Sequence, residues 1–332
     1  MFELLNQRPQ LAAILRQEID GITAIFEQQL TSEIPAVSEL CVHINRYRGK
    51  MLRPTLLLVS SLGCYGSSGN AGEQLSKKHR IVAAVTEMIH MATLVHDDVL
   101  DLAQMRRNGP TINDLNGNQT AVMFGDYLIS NAFHLCSHAG DPAINLRLGE
   151  VTNTLCEGEI IQLSHRDDMT LSEDTYFQII SKKTASLIGA CCELGAILAD
   201  ADESVVKAMR EFGCSLGIAF QIKDDLLDFM GEQELLGKKP GKDIDAGEFT
   251  LPLIDYFSHA SESKNQQMLE HLKVGDATAV HSELLASRSL DRSMERAAAF
   301  VKQAKDQLVV LEDSDARVLL SEIADQVIVR TS

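Results

Sequence analysis

The sequence predicts an all-α fold, and three of its features support this prediction. The chain has 332 residues, of which 45% are hydrophobic and 23% charged, a composition typical of a globular protein with a large buried core. It has only seven prolines, and none lies between Pro54 and Pro110 or between Pro142 and Pro240, so both stretches permit long helices. The alternation of apolar and polar residues that indicates strands is not evident.

Two stretches follow one helix face at a spacing of four residues. The first has apolar residues low on the face and acids at its end: Val85, Ile89, Thr93, Asp97 and Asp101. The second also ends in acids, with Asp224 and Asp228 beside its face: Gly213, Gly217, Gln221 and Asp225. Each stretch predicts a helix that carries carboxylates at its C-terminal end.

The rest of the chain is consistent with a single domain, 1–332, built as a bundle of helices. Glycine and polar residues predict loops at Tyr65–Lys78 and Gly231–Thr250. The motif-bearing core covers about 45–255, and further amphipathic helices are expected over 256–332. No shift in composition indicates a second domain.

The charge of the chain excludes some classes of function. Acidic residues outnumber basic ones 47 to 30, which gives a formal net charge of −17. Binding to duplex nucleic acid needs a basic surface, so this function is not expected. An anionic substrate would need a positive bridge to such a protein, and a divalent metal ion is suited to that role.

Several features predict a cytoplasmic protein. The N-terminus has no basic segment followed by an apolar run, so no signal peptide is expected. The most apolar stretch, Ala185–Ala199, contains Glu193 and is too short to span a bilayer. The seven cysteines are scattered without a CxxC pair, which predicts buried free thiols in a reducing compartment.

Two DDxxD motifs, at Asp97–Asp101 and Asp224–Asp228, carry the main chemical signal. A single motif is readily explained as a solvated acidic face, and chance supplies on the order of 0.1 such motifs in this composition. Two motifs that each end an apolar helix would repel strongly if they faced each other without cations. The pattern therefore predicts several Mg²⁺ ions between two acidic rims, because Mg²⁺ prefers oxygen ligands and shares them with phosphates.

Basic residues lie at positions that suit a diphosphate group: Lys50, Arg53, Arg106, Arg107, Lys183 and Lys238. Each of them alone would be interpreted as a surface charge. Together with two acidic motifs they predict a diphosphate site, because guanidinium groups bind phosphate oxygens in a forked geometry. His90 lies two turns before Asp97. A lone histidine on a helix is usually structural, so His90 is assigned to this site only because the other residues are present. His96 is expected to be structural.

In combination, these motifs resemble those of the trans-isoprenyl diphosphate synthases, or polyprenyl synthetases, of the long-chain octaprenyl and heptaprenyl type. The matching segments are GKMLRP (Gly49–Pro54), HDDVLDLAQMRRNGPT (His96–Thr111), GDYL (Gly125–Leu128), CEGEIIQL (Cys156–Leu163), KTASL (Lys183–Leu187) and FQIKDDLLDFMGEQELLGKKPGKD (Phe220–Asp243). The resemblance implies an all-α bundle of the isoprenoid-synthase type around a deep central cavity. It also implies a homodimer and about three Mg²⁺ ions for each active site.

The resemblance assigns roles residue by residue. Asp97, Asp101 and Asp224 would bind Mg²⁺ directly, with Asp98, Asp225 and Asp228 in support; these six and Lys183 form the catalytic set. The allylic diphosphate would be held by Arg106, Lys183, Thr184, Gln221 and Lys238. Isopentenyl diphosphate would be held by Lys50, Arg53, His90 and Arg107. The implied reaction joins isopentenyl diphosphate to an allylic primer such as farnesyl or geranylgeranyl diphosphate.

The residues one turn below Asp97 bear on the length of the product. Ala92 and Thr93 are small, whereas short-chain members of the family tend to carry an aromatic floor at this level, and Ile89 lies a further turn down. One helical turn is about 5.4 Å, close to the length of an isoprene unit. These residues therefore predict a tunnel for products of about C30–C50, the length of quinone side chains. The alternative interpretation is that Ala92 simply packs against a neighbouring helix.

One departure from the family pattern affects the site: GKxT after the second motif is replaced by Gly247–Thr250, so an acid, Glu248, stands where a lysine is usual. Three alternatives remain open. The chain could be a shorter-chain geranylgeranyl or farnesyl diphosphate synthase. A terpene cyclase would normally lack the second DDxxD, and a non-catalytic subunit of a heteromeric synthase would tend to have lost one motif.

Overall fold

The computed structural model describes residues 4–66, 74–107, 109–230 and 247–330. Apart from one two-residue hairpin, the regular structure in these ranges is helical, which confirms the predicted fold class. The chain divides into two compact units: the first comprises Met1–Thr152, Ala190–Arg210 and Leu308–Ser321, and the second comprises Asn153–Gly189, Glu211–Gln307 and Glu322–Ser332. Four of the five boundaries between them fall within α-helices.

The described residues in the N-terminal part of the first unit form six α-helices: α1 (Pro9–Gln29), α2 (Pro35–Ile44), α3 (Leu52–Tyr65), α4 (Lys77–Leu100), α5 (Ile112–Asn116) and α6 (Asn118–Ser137). Two short 3-10 helices, Leu4–Gln7 and Asn45–Tyr47, lie in the same part. Strands β1 (Met105–Arg106) and β2 (Gly109–Pro110) pair antiparallel, with Arg106 opposite Gly109. The helices that continue from one unit to the other are α7 (Pro142–Ser164), α9 (Ser186–Leu198), α10 (Glu203–Met230) and α15 (Asp315–Val329).

The second unit contains α8 (Glu173–Ile180), the π-helical turn Ser181–Ala185, α11 (Leu251–His259), α12 (Glu262–Val274), α13 (Ala277–Ser287) and α14 (Ser289–Gln307). Its core includes Ile222, Leu226 and Phe229 of α10, which cluster with Leu253 and Tyr256 of α11. The helices after residue 256 confirm the prediction for the C-terminal part. Most of the predicted loop at Gly231–Thr250, namely 231–246, lies outside the described residues.

Helix α4 is buried along most of its length. It packs against α1, α3 and α6, and Val82, Val85 and Met88 on it are fully buried. Its first turn is fixed by Ser76, whose backbone N–H donates to Nδ1 of His79 at 3.2 Å, while Nε2 of His79 lies 2.9 Å from Oγ of Ser61. A helix held on several sides in this way provides a rigid base for the acids at its end.

Two details differ from the sequence expectations. Helix α4 ends at Leu100, so Asp101 lies just past the helix rather than within it. All seven cysteines are free, but the prediction that they are buried is wrong for Cys156, which is exposed, and holds only partly for Cys64 and Cys214. Among the described residues, no helix is both long enough and apolar enough to cross a bilayer.

Candidate active site

The first DDxxD motif occupies the C-terminal end of α4, and its three aspartates differ in burial. Asp97 is half-buried, Asp98 is only 1% exposed, and Asp101 is exposed. The backbone N–H of Asp101 donates to the carbonyl oxygen of Asp97 at 2.8 Å, which keeps these two residues one turn apart although the helix has ended. Asp97 and Asp101 are thus accessible to a ligand, whereas Asp98 faces the protein.

Asp98 is bound to Arg106 of the hairpin. The Nε and Nη2 atoms of Arg106 lie 2.8 Å and 2.7 Å from the same Asp98 oxygen, and the guanidinium also stacks over the ring of Tyr47. The amide of Asn113 donates to the backbone oxygens of Asp98 and Ala103, at 3.2 Å and 3.0 Å. In the first motif, the second aspartate therefore holds the first arginine of the following RR pair.

Two glycines, Gly49 and Gly125, allow their segments of the chain to pack closely against the segment that follows the first motif and against His96. A Cβ atom on Gly49 would lie 2.5 Å from Nη2 of Arg107, so the arginine passes directly over the glycine backbone. A Cβ atom on Gly125 would lie 2.2 Å from Nε2 of His96. The His96 ring also lies 3.1 Å from the carbonyl oxygen of Val122, which agrees with its expected structural role.

A group of charged residues surrounds His90. Burial, followed by the positive charges of Arg53, Arg106 and Arg107, holds the pKa of His90 well below its usual value, so its ring is neutral near pH 7. Nε of Arg53 is buried without a hydrogen-bond partner. Such an unsatisfied donor costs stability unless a ligand binds it. Burial also raises the pKa of Glu87, against the positive charges of Arg53 and Arg107.

The second DDxxD motif lies near the C-terminal end of α10, and here too the aspartates differ. The Asp224 carboxylate is 2.6 Å from Nη2 of Arg330, and burial raises its pKa although Arg330 opposes the shift. Asp225 is 5% exposed and accepts hydrogen bonds from Tyr176 at 2.6 Å and from Gln221 at 2.8 Å. Burial raises the pKa of Asp225 to about 7, although both hydrogen bonds act to lower it.

The KT motif lies on the π-helical turn, which is tightly packed on two sides. A Cβ atom on Gly158 of α7 would lie 2.6 Å from the backbone nitrogen of Lys183, and one on Gly217 of α10 would lie 2.5 Å from Cα of Ala185. Nζ of Lys183 forms an ion pair with Glu159 at 2.7 Å. The Thr184 hydroxyl donates to Oε1 of Gln221 at 2.8 Å. π-Helical turns are frequent at functional sites, and this one presents two predicted ligands.

A pocket of about 100 Å³ within the second unit is lined by four of the predicted site residues: Lys183, Thr184, Gln221 and Asp225. Glu248 lines the same pocket and accepts a hydrogen bond from Gln162 of α7. The acid that replaces the usual lysine therefore adds negative charge beside Asp225, where its effect is to raise the pKa of that group.

The structure brings the predicted residues together in two sets, one in each unit. The first unit contains the first DDxxD motif together with Arg53, His90, Arg106 and Arg107. The second unit contains the second motif with Lys183, Thr184 and Gln221. Lys50 is exposed beside Gly49, and Lys238 lies outside the described residues. That the two DDxxD motifs face each other stays a prediction.

The predicted tunnel residues lie on α4, below the first motif. Ala92 is fully buried and Ile89 is 1% exposed, while the hydroxyl of Thr93 donates to the carbonyl oxygen of His90 at 2.8 Å. Their role in setting product length stays a prediction.

Four charged or polar residues of the two sets were not identified from the sequence: Glu87, Glu159, Tyr176 and Arg330. Glu159 lies within CEGEIIQL, so its segment was recognised although its role was not. Tyr176 and Arg330 stand far along the chain from the aspartates that they contact. Glu87 differs from exposed helical acids only in being buried near Arg53 and Arg107, so no local pattern distinguishes it.

Solved structures of similar fold identify the class of protein. The crystal structure of a decaprenyl diphosphate synthase from Rhodobacter capsulatus has a TM-score of 0.88 and 32% identity, covering 98% of this chain and 99% of that chain. A polyprenyl synthase from Caulobacter crescentus, in complex with calcium and isoprenyl diphosphate, also has a TM-score of 0.88, with 29% identity and 98% coverage of both chains. The chain is a prenyltransferase with the all-α isoprenoid-synthase fold.

Sequence comparison identifies the family. The family model for polyprenyl synthetase matches residues 34–286. Heptaprenyl diphosphate synthase component 2 of Bacillus subtilis is 34% identical over 314 residues, which cover 94% of this chain and 88% of the relative. Octaprenyl diphosphate synthase of Escherichia coli is 33% identical over 312 residues, covering 93% and 94%. The chain belongs to the polyprenyl synthetase family, and the predicted resemblance is confirmed.

Proposed function

We propose that this chain condenses isopentenyl diphosphate head-to-tail with an allylic diphosphate to form a long all-trans polyprenyl diphosphate, in the range of about C30–C50. The observation that carries the proposal is that each DDxxD motif lies in the same unit as cations or polar groups suited to a diphosphate. In the first unit these are Arg53, Arg106 and Arg107, and in the second they are Lys183 and Gln221.

The donor atoms of the two motifs fit a divalent metal. Asp97 and Asp101 are accessible carboxylates one turn apart, and Asp224 is a third carboxylate with 44% of its side chain exposed. Among the described residues, no group of three or more His, Cys, Asp or Glu side chains lies close enough together to hold a metal ion. Mg²⁺ typically completes its octahedral coordination with water and substrate phosphate oxygens, so one or two of these carboxylates suffice as its protein ligands. When bound, about three Mg²⁺ ions would neutralise charge on the diphosphate and make it a better leaving group.

The chain's own residues act on the diphosphates. Arg106, Lys183 and Lys238 bind the allylic diphosphate, so that the C1–O bond breaks and its electron pair leaves with the diphosphate. Arg53, Arg107, Lys50 and neutral His90 hold isopentenyl diphosphate, whose double bond attacks C1. The departing diphosphate accepts the proton that is then lost, so no side chain is required as a strong base.

The small residues Ala92 and Thr93 support a long product. The named relatives include heptaprenyl, octaprenyl and decaprenyl synthases, but also a short chain isoprenyl diphosphate synthase of Methanothermobacter thermautotrophicus, 35% identical over 295 residues. Product analysis must therefore separate the long-chain assignment from a shorter-chain one.

We propose a cytoplasmic homodimer. Apolar side chains that are exposed in the single chain support an interface on α5 and α6: Leu115, Val122 and Met123. The Bacillus subtilis relative is named as component 2 of its synthase, so a heteromeric assembly is the alternative. Light scattering of the purified chain separates the two assemblies, because a chain that requires a different partner would not form a stable active dimer alone.

The test is incubation of the purified chain with Mg²⁺, farnesyl diphosphate and isopentenyl diphosphate, with chain-length analysis of the products. We expect a ladder that ends at C30 or longer. Asp97→Ala and Asp224→Ala should each lose several kcal/mol of transition-state stabilisation, roughly a thousandfold or more in rate, with folding intact. Asp313→Ala, at a fully exposed side chain, is the control. Near-normal turnover in either of the first two variants would refute the assignment, and a cyclic hydrocarbon product would indicate a cyclase.

A further inference from the structure

We propose that Tyr176 is a positioning residue for the reaction, acting through Asp225 and Gln221 to aim acceptor oxygens at the electron-deficient carbon of the allylic substrate. The inference rests on the proposed function and adds to it a residue that has no place in the two acidic motifs or in the cation sets. It is carried by a chain of three hydrogen bonds within the second unit.

The hydrogen bonds form an unbroken series across three elements. The Tyr176 hydroxyl of α8 donates to Oδ2 of Asp225 at 2.6 Å. Nε2 of Gln221, one turn earlier on α10, donates to Oδ1 of Asp225 at 2.8 Å. The Thr184 hydroxyl, on the π-helical turn, donates to Oε1 of Gln221 at 2.8 Å. All four side chains line the same pocket.

The carboxylate of Asp225 decides which group donates and which accepts in each of these hydrogen bonds. In its ionised form Asp225 only accepts hydrogen bonds, and in that form it is the acceptor from both Tyr176 and Gln221. The Gln221 amide then turns its NH₂ group toward Asp225 and its oxygen toward Thr184. The single proton of the Thr184 hydroxyl is engaged by that oxygen. The lone pairs of Thr184 Oγ1 and the remaining lone pair of Gln221 Oε1 are therefore available to a substrate in the pocket.

Tyr176 holds this arrangement because it occupies the oxygen of Asp225 that Gln221 does not. Asp225 is 5% exposed, so water does not readily replace a missing donor. Without the tyrosine hydroxyl, one carboxylate oxygen would lack a donor in a buried site, and the carboxylate would rotate or draw the Gln221 amide toward both of its oxygens. The amide oxygen would then lose its fixed direction toward Thr184.

Fixed acceptor dipoles are useful at the step where positive charge develops. As the C1–O bond of the allylic diphosphate breaks, the bonding electron pair leaves with the diphosphate and C1 becomes electron-deficient. Oxygen lone pairs held in place beforehand stabilise that charge without reorganisation during the reaction. This role affects the transition state more than the bound substrates, so its loss lowers kcat rather than raising KM.

The experiment compares Tyr176→Phe with Tyr256→Phe. Tyr256 is a matched control, because it is also buried in the second unit and its hydroxyl donates to Glu283 at 3.2 Å, a residue away from the pocket. We expect Tyr176→Phe to lower kcat, and the single-turnover rate at saturating Mg²⁺, about tenfold, with both KM values within about twofold of wild type. Tyr256→Phe should leave kcat and both KM values within about twofold of wild type.

A double-mutant cycle provides the second readout. If Tyr176 acts through Gln221, the double variant Tyr176→Phe/Gln221→Leu should be no slower than Gln221→Leu alone. Additive losses would overturn the proposal, as would a Tyr176→Phe variant with the same kcat as Tyr256→Phe, or one changed only in KM. An inactive wild-type chain would instead refute the proposed function, and this inference with it.

Discussion

The two adjacent aspartates of the first motif should respond differently when each is changed to asparagine. Asp98 is 1% exposed, and one of its oxygens receives two N–H groups of Arg106, at 2.8 Å and 2.7 Å. Removing one partner of a fully buried ion pair costs about 3–5 kcal/mol. The side chain of Arg106 is 27% exposed, so water offsets part of this, and about 2–3 kcal/mol is expected for Asp98→Asn. For a chain of 332 residues, the melting temperature should fall by roughly 3–4 °C.

Asp97→Asn should have the opposite profile. Asp97 is half-buried at the end of α4 and is the proposed metal ligand, so its loss should abolish turnover while the melting temperature stays within about 2 °C of wild type. Differential scanning calorimetry without Mg²⁺, together with a turnover assay with Mg²⁺, measures both properties for each variant. The reasoning is wrong if Asp98→Asn melts with wild type, or if Asp97→Asn is the variant that melts early.

Three further predictions concern other parts of the chain. Burial lowers the pKa of His79 to about 4, so between pH 6.5 and 4 the unfolded chain binds a proton that the folded chain does not. The contribution of His79 to the free energy of unfolding should therefore fall by about 2 kcal/mol from pH 7.5 to pH 5, while Asp225, whose pKa is raised, acts in the opposite direction. Urea titrations of wild type and His79→Gln at both pH values measure the His79 contribution as the difference between their pH dependences, and equal pH dependences would contradict it. Glu248→Lys replaces a negative charge lining the pocket and should lower the KM for the allylic diphosphate several-fold in steady-state assays; an unchanged or higher KM would contradict this. Ala92→Phe should shorten the products seen by chain-length analysis, and an unchanged ladder would remove the argument for a tunnel at this position.

Much of the fold could be predicted from the sequence because its determinants are local. Proline-free stretches and four-residue ladders correctly indicated α4 and α10, and the acids lie at or near the C-terminal ends of these helices. The exact end of α4 was not predictable. Leu102 adopts a positive φ of 52°, and the turn that it begins is held by Asn113, which lies well beyond the helix. Helix boundaries depend on such later segments, whereas helix existence depends on the spacing within the element.

The candidate site shows the same contrast. The motif residues could be identified from their order, but the residues that orient them could not. Tyr176 meets Asp225 across 49 positions of sequence, and Arg330 meets Asp224 from near the far end of the chain. Glu87 has the same residue type as many exposed helical acids. It differs from them only in being buried near Arg53 and Arg107, a property that arises when the unit packs.

The central claim is that both acidic motifs hold one metal-bridged diphosphate. Isothermal titration calorimetry with inorganic pyrophosphate tests it most directly, using wild type, Asp97→Asn and Asp224→Asn, each with Mg²⁺ and with a chelator. The account predicts that wild type binds pyrophosphate only when Mg²⁺ is present, and that either substitution abolishes or strongly weakens the binding. Equal binding with and without Mg²⁺, or wild-type affinity in the Asp224→Asn variant, would contradict it.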